Sequence, residues 1–588
     1  MYPFLPMKSK KMQEDINGTE IRKTNPGQHR ATHQKTRRAW ADAARYSGEE
    51  VQEVRHSGLP LQARQKASSF PGGLHQSGKE NADPLCSGSN GGDGPFVGEK
   101  LSESQNAPGG NFRSVRAACA DALRPRPGRK PKEAAPGIEC AADLLGAVRH
   151  IIPDFNRYLS EVADPREQWR ITYDRVGQLW AMIVQRLDVT DSCRLWDDVK
   201  GSENLRGAIN TLSECDFPYL PHSDTLKYLA ERLDPEHLNE VLCKSFACMR
   251  KAKRLSSFKC GKYFLIAIDG VEFNKSFHPI PHCCHRKLSN GKVEYFQAAL
   301  VVTLISPSGL RLPLMVEFIK NNEGAKEYDK QDCEYKAFLR LAVKLKKRFP
   351  LQNFCLLLDG LYFKAEVINL IEKFLWKYII TWKYNAVKRF TQIAKTKIGR
   401  AWRNSLEVVE EYEHYKCGWT NAIQYTPAGA EHGYEVNAVI AEGVFEWSKG
   451  EKSIFSYVTN FKLKKENIKE IVNTGRDRWQ IETNFNVQKN SGLALESTFG
   501  ACGNAALVYF MVVQLAALIR TLMTSTNYFE KLAMMESTGS TLGAKGVTFA
   551  DCYRSAKAFM IHFRDALFNK IINPDKLPAG VHVVFNSA

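Results

Sequence analysis

The sequence lacks a continuous apolar segment long enough to cross a membrane. The longest candidate, residues 505–519, is apolar except for Gln514, and a bilayer-spanning helix needs about 20 apolar residues. We therefore predict a buried core helix there and no membrane partner. Residues 1–6 are also too short and too interrupted by proline to be the apolar region of a secretory signal.

The pattern of cysteines excludes a disulfide framework. The 15 cysteines are scattered along the chain and odd in number, unlike the closely spaced pairs of small secreted domains. We expect reduced thiols and a cytoplasmic protein.

Acidic residues are fewer than basic ones. The chain has 64 Asp and Glu against 82 Lys and Arg, a net charge of +18. This excess favours a polyanionic partner, because Lys and Arg that neutralise phosphates release condensed counterions. The apolar fraction of 43% and the charged fraction of 25% are typical of a soluble globular protein.

Composition and periodicity divide the chain into six segments. Residues 1–136 are rich in Gly, Ser, Pro, Lys and Arg, which predicts a disordered basic extension, because such a segment buries too little apolar area to offset the entropy of ordering. Helical spacing over 137–258 predicts an all-α domain that either binds DNA or packs as a layer on its neighbour. Residues 259–384 and 461–530 are predicted as the two parts of one core. Residues 385–460, between them, are predicted as a β-rich insertion, and residues 531–588 as a C-terminal helical region and tail.

The core segment has a strand-rich pattern in a defined order. Its elements are predicted as β-β-β-α-β-α-β at 264–268, 293–305, 310–319, 329–348, 353–359, 364–375 and 378–382. This order is that of a ribonuclease-H-like mixed sheet, whose first and fourth strands are neighbours. The predicted fold class is therefore α/β, a mixed sheet with flanking helices that the β-rich insertion interrupts.

Two of these apolar strands end in aspartate. FLIAID ends at Asp269 and FCLLLD ends at Asp359. Glycine follows each of them, so a turn explains either aspartate taken singly. If the predicted topology holds, however, both side chains lie together at neighbouring strand ends.

Residues 475–492, GRDRWQIETNFNVQKNSG, carry a third acid among cations. Wound as one helix, they place Arg478, Glu482 and Lys489 on one face and point Asp477 away from it. A carboxylate flanked by cations suits a site where metal and phosphate meet. A surface helix with ion pairs between successive turns is the alternative.

Three carboxylates from two strands and a helix are what a two-metal phosphoryl-transfer site requires. Mg²⁺ prefers hard oxygen ligands, and a pair of ions can activate an attacking oxygen and stabilise a leaving one. We predict Asp269, Asp359 and Glu482 as catalytic metal ligands, with Asp269 bridging both ions. Mn²⁺ is expected to substitute for Mg²⁺.

A loop after the first strand holds further metal-ligating residue types. Its candidate zinc ligands are His278, His282, Cys283 and His285. Their spacing matches no standard zinc pattern closely, and a polar loop near DNA is the preferred alternative.

Taken together, Asp269, Asp359 and the spacing Arg478-x3-Glu482-x6-Lys489 resemble the DDE transposases of bacterial insertion sequences, in the group with a Y-x2-R-x3-E-x6-K signature. Residues 330–334, KQDCE, at the start of the helix after the third strand, are a further match. Gly475 stands where the signature has tyrosine.

This resemblance implies a transposase that binds the inverted repeats of a mobile element, cleaves its 3′ ends and joins them to target DNA. It implies double-stranded DNA and a homodimer as partners, and a bacterial cytoplasm with the nucleoid as location. Arg478 would grip a phosphate and Lys489 would position the terminal nucleotide, and Arg476 is a further candidate DNA-binding residue.

Three points stay open in the sequence. The protein is alternatively a catalytically inactive DNA-binding protein derived from a transposase, or a nuclease on the same core without strand transfer. Some relatives use aromatic residues of the insertion to trap a flipped base in a hairpin intermediate. Trp419 and Trp447 are candidates for that role, although core packing is favoured for either.

Overall fold

The computed structural model describes residues 140–187, 192–321, 332–382, 388–400, 405–410, 413–426, 433–445, 451–497, 502–527 and 585. The predicted extension at 1–136, Trp447 and nearly all of the C-terminal region at 531–588 lie outside these residues.

Seven helices precede the first strand in this described part of the chain. They are α1 (Cys140–Ile151), α2 (Phe155–Ser160), α3 (Arg175–Leu187), α4 (Cys193–Val199), α5 (Glu203–Ser213), α6 (Ser223–Arg232) and α7 (Pro235–Lys251). Helices α1 and α2 are separate, because Pro153 lies between them and cannot donate a helical hydrogen bond. Helix α4 begins where the Ser192 side chain accepts a hydrogen bond from the Leu195 amide at 3.3 Å.

These helices pack directly against the strands that follow. Asn239 on α7 donates to the carbonyl oxygen of Val316 and accepts from its amide, both at 2.9 Å. The ring of Phe246 makes edge contacts with Phe264 at 5.6 Å and Phe349 at 5.0 Å. Residues 140–251 therefore form a helical layer on the sheet, and a DNA-binding role for them stays a prediction.

One mixed sheet contains every named strand of the described residues. They are β1 (Lys259–Cys260), β2 (Tyr263–Ser276), β3 (Cys284–Lys287), β4 (Val293–Ile305), β5 (Arg311–Ile319), β6 (Phe354–Leu358), β7 (Lys377–Thr381), β8 (Ser405–Glu410), β9 (Glu413–Tyr425), β10 (Tyr434–Val444) and β11 (Lys452–Thr459). The sheet order is β3-β4-β2-β6-β7-β11-β10-β9-β8, with β5 also paired to β4 and β1 to β2. Strands β2 and β6, the predicted first and fourth, are parallel neighbours.

The remaining helices flank this sheet. They are α8 (Glu334–Arg348), α9 (Ala365–Lys373), α10 (Lys388–Arg400), α11 (Ile468–Asp477), α12 (Trp479–Asn490) and α13 (Ala505–Thr524). On α8, Phe338, Leu341 and Leu345 are buried at helical spacing. Asp329, the first residue of the helix predicted at 329–348, lies outside the described residues.

The predicted β-rich insertion extends the main sheet. Its last strand, β11, pairs antiparallel with β7, so that Tyr457 lies opposite Thr381. Within this segment the helix α10 precedes the strands β8 to β11.

The apolar helix α13 is buried in the core. By length and composition it is the one helix among the described residues that matches a membrane span, yet its side chains face protein. Its polar residue Gln514 exchanges hydrogen bonds with Gln488 at 3.0 and 3.3 Å. A buried amide pair of this kind satisfies both side chains, and the prediction of a core helix is confirmed.

Candidate active site

Asp269 and Asp359 lie at equivalent positions of two parallel strands. Strand β2 pairs with β6 so that Ala267 is opposite Leu357. Asp269 lies two residues further along β2, and Asp359 directly follows the last residue of β6. Each carboxylate also accepts a hydrogen bond from the amide of the following glycine, at 3.0 Å for Asp269 and 2.6 Å for Asp359. Asp359 begins a 3₁₀ turn, whereas β2 continues past Asp269 to Ser276, so the predicted strand end at Asp269 is wrong.

Glu482 reaches the same place through an arginine. The stretch predicted as one helix is α11 and α12, with Arg478 at the junction. Its guanidinium donates to Oε1 of Glu482 at 2.7 Å and lies 3.7 Å from Oδ2 of Asp269. The Arg478 side chain is only 8% exposed, so it holds both carboxylates from inside the fold.

A fourth carboxylate, Glu334, joins these residues and was not predicted as a site residue. It is the first residue of α8, and its Oε1 accepts a hydrogen bond from the Tyr362 hydroxyl at 2.6 Å. Its Oε2 lies 2.8 Å from the point where a Cβ on Gly270 would be. The sequence signal was its place at the start of the helix after the third strand, but only packing reveals what it faces.

The site concentrates negative charge in a partly buried place. Burial raises the pKa of Asp269 to about 6; Arg478 opposes the shift, while the charges of Glu334 and Glu482 add to it. Burial likewise raises the pKa of Glu334, and the Asp359 carboxylate raises it further. Carboxyls that resist ionisation next to one another are typical of sites that take up a cation.

Residues 330–519 match the family model described as Transposase DDE domain. This part of the chain is a transposase DDE domain. Among curated proteins, none matches the chain. The matched region contains Glu334, Asp359 and Glu482, whereas Asp269 lies upstream of it. The large mixed sheet with flanking helices is consistent with a ribonuclease-H-like transposase domain.

The carboxylates of this site fit a divalent ion in their chemistry, although they are not closed around one. In the part of the chain that the structure describes, no three His, Cys, Asp or Glu side chains are grouped closely enough to hold a metal. The Arg478 guanidinium, a cation, lies instead between Asp269 and Glu482. Carboxylate oxygens are the ligands that Mg²⁺ and Mn²⁺ prefer, and an ion held between Asp269 and Glu482 would take the place of this guanidinium.

The other predicted DNA-binding residues of the transposase domain have partners within the protein. Arg476 pairs with Glu413 at 2.8 Å, and its guanidinium lies 5.0 Å from the centre of the Phe445 ring. Lys489 pairs with Glu496 at 2.7 Å. Roles for Arg476 and Lys489 in DNA binding stay predictions.

The histidine and cysteine loop upstream of the matched region forms no metal cluster among the described residues. Cys284 is buried, and its sulfur accepts a hydrogen bond from Asn321 at 3.2 Å. His285 lies on β3, with its ring 6.1 Å from that of Tyr295. The four predicted zinc ligands His278, His282, Cys283 and His285 are therefore not gathered into a zinc site.

The glycine at the tyrosine position of the signature has a packing reason. A Cβ on Gly475 would lie 2.7 Å from Cε1 of Tyr457, whose ring is buried on β11. A larger side chain at position 475 collides with that ring. Trp419 is also buried, as core packing requires.

Proposed function

We propose that this protein is a transposase of the bacterial insertion-sequence type. It binds the terminal inverted repeats of its element, cleaves the DNA there and joins the freed ends to target DNA. The observation that carries this proposal is the equivalent placement of Asp269 and Asp359 on parallel strands, with Glu482 tied to Asp269 through Arg478. The match of residues 330–519 to the transposase DDE domain supports it.

In this proposal the three carboxylates hold two Mg²⁺ or Mn²⁺ ions. Asp269 contributes to both, Asp359 to one and Glu482 to the other. Such ions, when bound, stabilise the charge that develops on the attacking and leaving oxygens of a phosphodiester. The protein supplies no covalent nucleophile. Water attacks first and frees a 3′-hydroxyl, and this hydroxyl then attacks a phosphodiester of the target, whose 3′ oxygen leaves.

Arg478 has two roles in the proposal. Without DNA, its guanidinium offsets the charge of Asp269 and Glu482. When ions and DNA enter, it turns to a backbone phosphate, which a guanidinium binds well because of its forked donors. Lys489 positions the terminal nucleotide, and the net charge of +18 favours association with DNA.

The remaining parts of the proposal concern assembly and place. Two copies act together on double-stranded DNA, one at each end of the element. The protein acts in the cytoplasm of a bacterium, at the nucleoid.

Two alternatives share this core. An inactive DNA-binding protein is favoured by Gly475 and by the guanidinium between two carboxylates. A nuclease without strand transfer would use the same acids. Incubating the protein with Mn²⁺ or Mg²⁺ and a DNA fragment that ends in the element's inverted repeats separates the three. Nicking at the 3′ ends followed by joining supports a transposase, nicking alone a nuclease, and a mobility shift without cleavage the inactive protein.

Variants test the residue assignment in the same assay. Asp269→Asn, Asp359→Asn and Glu482→Gln are each expected to lower cleavage at least about 1,000-fold while sparing the mobility shift of the end fragment. Asp477→Asn is the matched control, because Asp477 accepts a hydrogen bond from Gln480 at 2.9 Å and takes no part in the site. Wild-type cleavage by any of the first three variants would refute the assignment of that residue.

A further inference from the structure

Glu334 occupies a position that its hydrogen bond with Tyr362 alone does not explain. One carboxylate oxygen accepts from the Tyr362 hydroxyl, but the other lies against the backbone of Gly270, directly after Asp269. A Cβ at position 270 would come within 2.8 Å of that oxygen, so a side chain there would displace the end of Glu334. The Glu334 carboxylate is thus placed beside the part of β2 that carries Asp269.

Tyr362 fixes this placement from the turn that follows β6. It lies at the end of the 3₁₀ turn Gly360–Tyr362, for which Asp359 is the cap. The residue is fully buried, and its ring packs against Phe338 of α8 at 4.8 Å. The turn that begins at Asp359 therefore also orients Glu334, so that the end of β6 and the start of α8 meet at one place.

A third acid beside Asp269 and Asp359 is unfavourable unless a cation joins them. Like charges in a partly buried place repel, and each loses hydration. A neutral glutamine would accept the same hydrogen bond from Tyr362 without that repulsion. The charge on Glu334 is therefore costly to the fold and useful only to a positively charged ligand.

We propose that Glu334 is a fourth carboxylate ligand of the divalent ions at Asp269 and Asp359, and that Tyr362 is its positioning residue. The inference rests on the proposed function and extends its ligand set from three acids to four. A hydrogen bond to the oxygen that does not face the ion is the usual way in which a neighbouring residue orients a carboxylate ligand.

Mn²⁺ binding tests this without any cleavage assay. Mn²⁺ is titrated into the full-length protein in the absence of DNA, and the free Mn²⁺ is measured by its electron paramagnetic resonance signal, which is lost when the ion binds. Glu334→Gln is expected to weaken Mn²⁺ binding about 10- to 100-fold, and Tyr362→Phe to weaken it toward the lower end of that range. Thermal unfolding without metal provides the folding check, and Glu334→Gln should unfold at the wild-type temperature or above it.

The chain offers a matched control pair. Glu366 accepts a hydrogen bond from the Tyr335 hydroxyl at 2.7 Å, close to the Glu334–Tyr362 distance, but Glu366 is exposed on α9. Glu366→Gln and Tyr335→Phe should both keep wild-type Mn²⁺ affinity. Asp269→Asn should lose it.

The outcomes separate this inference from the proposed function. If Asp269→Asn abolishes Mn²⁺ binding while Glu334→Gln binds as the wild type does, the role of Glu334 is overturned and the three-carboxylate site stands. If the wild type binds no Mn²⁺, or Asp269→Asn leaves binding intact, the catalytic site itself is overturned. A parallel loss in Glu334→Gln and Asp269→Asn, with both controls unchanged, supports the fourth ligand.

Discussion

The Arg478 guanidinium lies 3.7 Å from the carboxylate of Asp269, yet burial still raises the pKa of that carboxyl to about 6. The arginine therefore offsets only part of the cost of placing Asp269 beside Glu334 and Glu482. Without a metal ion, the negative charge of these carboxylates is therefore only partly neutralised by Arg478. Charge of this kind lowers stability for the sake of a ligand, which is a common trade-off at functional sites.

The first prediction concerns the pH dependence of stability. The pKa of Asp269 is higher in the folded protein than its ordinary value of 3.8, so its ionisation lowers stability, fully above about pH 6 and hardly at all below pH 4. Asp269→Asn should therefore stabilise the metal-free protein at pH 8 by up to about 3 kcal/mol, and the gain should shrink as the pH falls through 6. Urea unfolding of both proteins at pH 8, 6 and 4.5 measures this. A gain that stays constant with pH would contradict the assignment.

The sequence was sufficient for the parts of the site that depend on strand order. Asp269 and Asp359 end apolar runs, and the predicted order makes their strands neighbours, which the parallel pairing of β2 with β6 confirms. The position of Glu334 depends instead on where α8 packs against the sheet, and the periodicity of apolar residues does not predict that position. The break at Arg478 was missed because a helical wheel treats the whole stretch as one helix.

Tertiary contacts also decided what Arg476 and Gly475 do. Arg476 pairs with Glu413, which is 63 positions away in the chain, so its neighbour was invisible to local reasoning. Gly475 packs against Tyr457 of a different element. Both residues lie in the signature region, for which the resemblance predicted contacts with DNA. In the structure both contact residues of the β-rich insertion instead.

The second prediction tests the packing at position 475. Gly475→Ala should destabilise the protein by about 1–3 kcal/mol, because the added Cβ meets the buried Tyr457 ring at 2.7 Å. Gly207→Ala is the matched control, since Gly207 is also helical and open space surrounds it; it should be neutral or stabilise by up to about 1 kcal/mol. Urea unfolding measures both. Gly475→Tyr should be at least as destabilising as Gly475→Ala, so restoring the tyrosine of the signature should not improve cleavage.

The third prediction separates structural from DNA-binding cations. Arg476 is largely buried, pairs with Glu413 and contacts the Phe445 ring. Arg476→Gln should therefore lower the free energy of unfolding by about 1–3 kcal/mol and leave DNA affinity unchanged at permissive temperature. Lys489→Gln should leave the free energy of unfolding unchanged and weaken DNA binding, reducing by about one the slope of log affinity against log salt. Fluorescence anisotropy with an end fragment at several salt concentrations distinguishes them, and a changed salt slope in Arg476→Gln would assign that residue to DNA.

The fourth prediction concerns a buried charge far from the carboxylates. Arg520 on α13 is 5% exposed and donates to the Ser491 carbonyl oxygen at 3.2 Å, but no acid among the described residues pairs with it. Burial lowers its pKa to about 10, and the charge of Arg311 adds to the shift. Because the folded state disfavours the charged form, Arg520→Met should raise the free energy of unfolding by about 1–2 kcal/mol at pH 7, after the loss of one hydrogen bond.

Arg340→Met is the control for this change. Arg340 pairs with both Glu317 and Asp332, at 2.8 and 2.6 Å. Its removal therefore leaves Asp332 without that cation and Glu317 with Lys344 alone, and it should destabilise the protein. The two arginines thus differ in the sign of the effect, and thermal unfolding at pH 7 detects it. If Arg520→Met unfolds at a lower temperature than the wild type, the guanidinium is stabilised by a counter-charge after all. The prediction then fails, because removing a buried cation that has no counter-charge should not lower the stability of the protein.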